Sequence, residues 1–188
     1  MTVLTGGRCM AGERRWVLRE RTAEAHAAVD AAIGGFTDRA SYERYLQQIY
    51  AFRMPIERAL DSLHWPSRLG GWRAKAIGHL IEADLADVGL AVPPVEASDL
   101  ALDGDGLLGV LYVLEGSSLG SRLLYKRAEA LGFSANYGAR HLAHASGPES
   151  WRDFLGVLET QHELDLDEAT AASLATFRAA EAAFAAQV

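Results

Sequence analysis

The 188 residues contain a single cysteine, Cys9. A disulfide framework needs pairs and a thiolate zinc site needs several ligands, so both are excluded. Proline is scarce, with five in all, and valine and isoleucine are few. Apolar–polar alternation with a period of two is almost absent, which leaves little from which to build a sheet. Long apolar runs are missing too. The longest, Leu107 to Leu114, contains Gly109 and stops at Glu115, well short of the roughly 20 residues that cross a bilayer. Positive charge is in deficit, 18 Lys+Arg against 25 Asp+Glu, for a net charge of −7. A nucleic-acid binder would carry a basic face instead. The expectation is a cytoplasmic protein with neither a membrane nor a nucleic-acid partner. Residues 1–12 lack the long apolar stretch of a signal peptide and read as a flexible leader.

What is present is helical periodicity and an apolar fraction of 49%, enough for a core without staples. Leu18, Thr22, His26, Val29 and Ile33 repeat at spacings of four, four, three and four, which is one helix face. Gly34 and Gly35 end that helix. A second helix, capped by Asp38 or Ser41, carries the stripe Tyr42, Tyr45, Leu46, Ile49, Phe52, Ile56 and Leu60. Pro55 should kink or interrupt it. A third helix is expected over Trp72 to Asp87 and a long fourth over Gly106 to Leu131. Residues 133–147 read as a loop. Pro148 suits the first turn of a fifth helix, with Trp151, Phe154, Leu155 and Leu158 inward. A last, alanine-rich helix runs from about Asp167 to Gln187, with Leu174, Phe177, Ala180 and Phe184 on one stripe. The fold class is all-α, one multi-helix bundle of about six helices over residues 13–188.

Two features carry chemistry. His26 falls on the inner stripe of the first helix, where an imidazole either bonds a backbone carbonyl or ligates a metal or heme iron. The second is Glu115-Gly116-Ser117-Ser118-Leu119-Gly120-Ser121, within the fourth helix. Each interior glycine costs about 1 kcal/mol relative to alanine, and serine is also a poor choice there. Gly116 and Gly120 are four apart and share a face. The serine hydroxyls can bond backwards to carbonyls and bend the helix. Either another helix crosses closely at these small residues, or a bulky ligand lies against them. A third candidate, Glu159-Thr160-Gln161-His162, has the Glu-x-x-His spacing of half a di-iron site, but no second copy exists. His64, His79, His141 and His144 form no convincing metal spacing, and Cys9 has no evident base to activate it.

Leu18–His26 resembles the proximal helix of bacterial heme oxygenases, and Tyr112–Gly120 resembles their distal helix. Pro148, Trp151, Phe154 and Leu158, and Ala175-Thr176-Phe177, fit the same family, so the resemblance runs from about residue 14 to the end. It implies heme held between the first and fourth helices, as both cofactor and substrate. His26 would be the iron ligand, with Glu24 able to orient it only indirectly. Gly116, Ser117 and Gly120 would form the distal catalytic surface. Arg19, Thr22, Tyr112 and Arg178 would complete the heme contacts, with Arg15, Tyr125 and Lys126 as further options for its propionates. The implied reaction opens heme at a meso carbon to biliverdin, carbon monoxide and ferrous iron. Electrons would come from a ferredoxin- or flavodoxin-type reductase system docked on a basic rim such as Arg122, Lys126 and Arg127. A biliverdin acceptor such as a bacteriophytochrome is an implied partner. Ser121 departs from the second glycine that many relatives carry. It motivates the alternative of a non-catalytic heme-binding or heme-sensing protein.

Overall fold

A computed structural model describes residues 13–145 and 149–186. The leader at 1–12, Cys9, Pro148 and the helix end at Gln187 lie outside the described residues. Those described form eight α-helices and no strand: α1 Glu13–Ile33, α2 Arg39–Asp61, α3 Gly78–Asp87, α4 Gly106–Gly116, α5 Ser118–Ala130, α6 Arg140–Ala145, α7 Glu149–Glu159 and α8 Leu166–Ala185. A 3-10 turn, Ser67–Leu69, follows α2.

The core is organised around α8, which packs along both α1 and α4. Its small side chains let the neighbours come close. At Gly109 on α4, an added Cβ would lie 2.0 Å from the Ala169 carbonyl oxygen of α8. The Ser173 hydroxyl donates to the Gly109 carbonyl at 2.9 Å across the same crossing. The Asp165 side chain accepts from the Asp167 and Glu168 amides and so caps the start of α8. Phe177, Ala180 and Phe184 are buried as their spacing predicts, while Leu174 is only partly covered. The stretch Gly106–Ala130 is apolar enough by length and composition to cross a bilayer. Its first half, α4, is instead the buried centre of the bundle.

Of the two effects expected of Pro55, interruption does not occur, since α2 runs through it. Three other expectations change. The third helix starts at Gly78 rather than Trp72, because the Glu57 carboxylate accepts the Ile77 and Gly78 amides at 2.8–3.2 Å and caps the helix there. Trp72 leaves the helix and packs on Phe154, ring centres 5.3 Å apart. The segment expected as loop contains α6, whose first amides at Arg140 and His141 are held by Asp84 of α3, both at 3.0 Å. The single fourth helix is two, divided at Ser117.

Asp84 is fully buried and His141 nearly so, with the His141 Nδ1 2.7 Å from the carboxylate. Burial pushes the Asp84 carboxyl up. The hydrogen bonds from His141 and Arg140 outweigh it and hold the group below its usual 3.8. A carboxyl whose folded pKa is depressed contributes stability that is present above the unfolded value and lost as pH falls through the folded one. Asp84→Asn should therefore lower stability by about 3–5 kcal/mol at pH 7. The difference from wild type should shrink below pH 3.8. Urea melts across that range read both effects.

Candidate functional site

Buried α1 residues repeat as Arg14, Leu18, Thr22 and Val29. His26 borders that stripe instead of belonging to its covered part: 59% of its side chain is exposed. The inner-face expectation is corrected to this extent. On one side the imidazole meets the Phe177 ring of α8 edge-on at 5.7 Å. On the other, its Nδ1 lies 3.1 Å from the Asp30 carboxylate, one helical turn on. With Nδ1 turned to that carboxylate, Nε2 is the ring nitrogen left for an external ligand. Asp30, not Glu24, is the carboxylate that the structure places beside the ring. Its i, i+4 spacing from His26 was the available signal.

Across from α1 stands the break between α4 and α5. The Ser117 hydroxyl donates to the Leu114 carbonyl at 2.6 Å, and the Ser121 hydroxyl to the Ser117 carbonyl at 3.2 Å. These are the backward bonds that bend helices. Gly116, Gly120, Leu123 and Arg127 follow at spacings of four, three and four and share a stripe. Arg127 at its end donates to the carbonyl of Gly34, just past α1, at 3.3 Å, so the stripe faces α1. The helices do not pack along their lengths. They are joined near the two ends, by Arg127 on Gly34 and by Tyr112 beside Thr22 and Arg19. His26 and the glycine stripe lie between these joints. At 1.5 Å per residue, the α1 side of the gap from Thr22 to Gly34 is about 18 Å long.

The glycines separate the two explanations for their presence. At Gly109 a side chain is forbidden by the α8 backbone, which is true helix crossing. At Gly120 an added Cβ would meet nothing within 4 Å. At Gly116 it would touch only the Trp151 ring, at 3.6 Å, an ordinary contact. No protein atom therefore requires glycine at either position. Beside them Leu119 and Leu123 stand 60% and 57% exposed on α5. An exposed apolar pair next to bare backbone is the surface that a flat apolar ligand would cover.

The structure brings Arg19, Thr22 and Tyr112 together at one end of the gap. Burial pushes the Tyr112 phenol up, and the Thr22 hydroxyl and the Arg19 guanidinium oppose that rise. The Tyr112 ring also packs on Trp151, centres 5.6 Å apart. Arg15 and Arg19 both lie over the exposed Trp16 ring, at 4.8 and 5.2 Å. Arg178 is exposed on α8, beside Phe177 in the chain, and joins no hydrogen bond of this cluster. Two buried polar atoms lack a partner among the described residues, Arg15 Nε on α1 and Ser118 Oγ at the break. Both atoms are enclosed, and Arg15 lies seven residues before Thr22, outside the gap.

Other candidates are placed elsewhere. Tyr125 accepts the Ala135 amide at 3.1 Å and serves the following turn. Arg127 is committed to Gly34, which leaves Arg122 and Lys126 as the exposed cations of α5. Glu159 accepts the Arg15 amide at 3.1 Å and lies 3.6 Å from Arg14, tying α7 to α1. No group of three metal-ligating side chains exists among the described residues, so the di-iron reading has no support there. Ser121 is buried with its hydroxyl on Ser117, so it does not project into the gap. A surface cavity of about 460 Å³, lined by Arg68 and residues 160–164, lies apart from all of this.

No family profile matches the chain. The heme oxygenase PigA of Pseudomonas aeruginosa is 35% identical over 130 residues, which span 66% of this chain and 65% of that protein, just under two thirds of its length. A heme oxygenase of Xanthomonas campestris pv. campestris is 32% identical over 135 residues, spanning 66% of this chain and 76% of the relative. Among solved structures, the NO- and CO-bound heme oxygenase of Neisseria meningitidis superposes with a TM-score of 0.75. That match covers 91% of this chain and 89% of the other, at 23% identity.

Proposed function

The chain belongs to the heme oxygenase family, and from that membership we propose that it opens heme at a meso carbon to biliverdin, carbon monoxide and ferrous iron. Bound heme supplies both the iron that activates dioxygen and the porphyrin that is cleaved. The protein's own residues then have distinct tasks. His26 offers Nε2 to the iron, and Asp30 holds the ring by its Nδ1. Gly116 and Gly120 let the distal backbone approach the reacting edge, where any side chain would intrude. Ser117 commits its hydroxyl to Leu114, which keeps the break bent and presents backbone to the heme. Arg19, Thr22 and Tyr112 form a polar corner for a propionate, and Arg178 stands free to meet a second. Leu119 and Leu123 cover porphyrin and exclude water from it.

The observation that carries this reading is that a Cβ at Gly120 would meet no protein atom within 4 Å, on a stripe whose far end, Arg127, bonds the Gly34 carbonyl just past the helix of His26. The non-catalytic alternative drew only on Ser121, whose hydroxyl is engaged inside α5. A ferredoxin- or flavodoxin-type reductase, a cytoplasmic location and a biliverdin acceptor such as a bacteriophytochrome belong to the same proposal. The cations Arg122 and Lys126 are available to an acidic donor. Hemin titration should give a saturable Soret band at one equivalent. Adding a ferredoxin, its reductase and dioxygen should then yield biliverdin by chromatography. Stoichiometric hemin binding without ring opening would instead leave the heme-sensing alternative standing.

A further inference from the structure

Arg53 and Glu57 on α2 form a buried ion pair, 5% and 8% exposed, with the Arg53 Nη2 2.9 Å from the carboxylate. Arg53 Nε donates to the same carboxylate at 2.9 Å. Such a pair adds little net stability over well-packed apolar side chains, because desolvation offsets the attraction. What an apolar pair cannot do is hold a carbonyl. The third arm of the guanidinium, Nη1, donates to the Leu114 carbonyl at 3.3 Å, 61 positions along the chain. That carbonyl also accepts the Ser117 hydroxyl. It lies two residues before Gly116, at the end of α4. The Glu57 carboxylate is fixed in turn by the Ile77 and Gly78 amides of α3. A continuous line of hydrogen bonds therefore runs from the start of α3, through Glu57 and Arg53, to the break that carries the glycine stripe. Carbonyls drawn aside by side-chain donors are a recognised cause of helix bending.

We propose that Arg53 is a positioning residue that, steered by Glu57, sets the place and angle of the α4–α5 break and so the spacing of Gly116–Gly120 from His26. The functional part of this inference rests on the heme reading; the tether itself does not. Arg53→Lys keeps a cation beside Glu57 but lacks the planar fork that reaches carboxylate and carbonyl together. The double variant Arg53→Met with Glu57→Gln removes both charges, while the side-chain amide oxygen it introduces can still accept the α3 amides.

The test is amide hydrogen exchange on the hemin-free protein, followed by the hemin spectrum as a function of pH. In both variants, exchange at residues 117–120 should rise about tenfold while α8 core amides stay at wild-type rates. With hemin bound, the midpoint of the pH-dependent spectral change should move. Unchanged exchange at the break in a folded variant, or a uniform rise across every helix, overturns the proposal. If the wild type fails to bind hemin, the heme reading falls, and the exchange data still decide whether Arg53 holds the break.

Discussion

Replacing Gly120 by leucine should stabilise the protein and abolish its heme chemistry. The position is helical, and removing a helical glycine contributes about 1 kcal/mol. An added Cβ there meets no protein atom within 4 Å, so nothing offsets the gain. The melting temperature should rise by about 2–4 °C for a chain of this size. Yet, on the proposed reading, the isobutyl group occupies the face of α5 against which heme would lie. Hemin affinity should fall at least a hundredfold, about 3 kcal/mol, and biliverdin formation should be lost. Gly109→Ala is the matching control. Its Cβ would lie 2.0 Å from the Ala169 carbonyl oxygen, so it should cost about 1–3 kcal/mol of stability by overpacking. Hemin binding by the folded fraction should persist. A Gly120→Leu protein that is destabilised and still binds hemin would return the glycine to helix crossing.

His26→Ala should separate folding from ligation in a second way. The side chain is more than half exposed and makes one carboxylate contact and one ring contact. Its removal should change stability by no more than about 0.5 kcal/mol. Hemin should still enter, since the apolar and polar contacts of the gap remain. The Soret band should shift, and turnover should drop at least a hundredfold, if His26 is the imidazole that would hold the heme iron. Added imidazole should restore part of both. Asp30→Asn should weaken binding or activity by about 10–100-fold, the usual effect of losing the partner of a metal-bound imidazole. A His26→Ala spectrum identical to wild type would place the ligand on another residue.

These two residues show how much of the site was legible before any fold was known. Gly120, with Gly116, declared itself by being costly where it stands, and cost against propensity is readable from spacing alone. Whether the cost reflected a crossing helix or a ligand was not readable, because that depends on what lies opposite. The same type of glycine at Gly109 faces the α8 backbone, and at Gly120 it faces open space. His26 was legible as a residue on a helix stripe. Its exposure was not, since a period of 3.6 locates a face and does not say whether a neighbouring helix covers it. Arg19, Thr22 and Tyr112 were named through family resemblance. Their meeting is a matter of how α1 lies against α4.

The amino-acid order by itself determined the all-helical class, the existence of α1, α2 and α8, and most of the inner faces of α2 and α8. It also determined the anomaly at residues 115–121, because propensity, capping and amphipathic period are local properties. The tertiary structure alone decided where α3 and α6 begin, for their first amides are capped by Glu57 and Asp84 from elsewhere in the chain. It alone divided one long helix at Ser117 and tied Arg53 to the Leu114 carbonyl. Buried donors and acceptors must be paired, and the pairing partner is chosen by proximity in space. A sequence deficient in sheet formers, cysteine and basic charge thus specified a helical bundle. Beside α1, Tyr112 of α4 and Arg127 of α5 make the contacts, and α1 and α5 do not pack along their lengths.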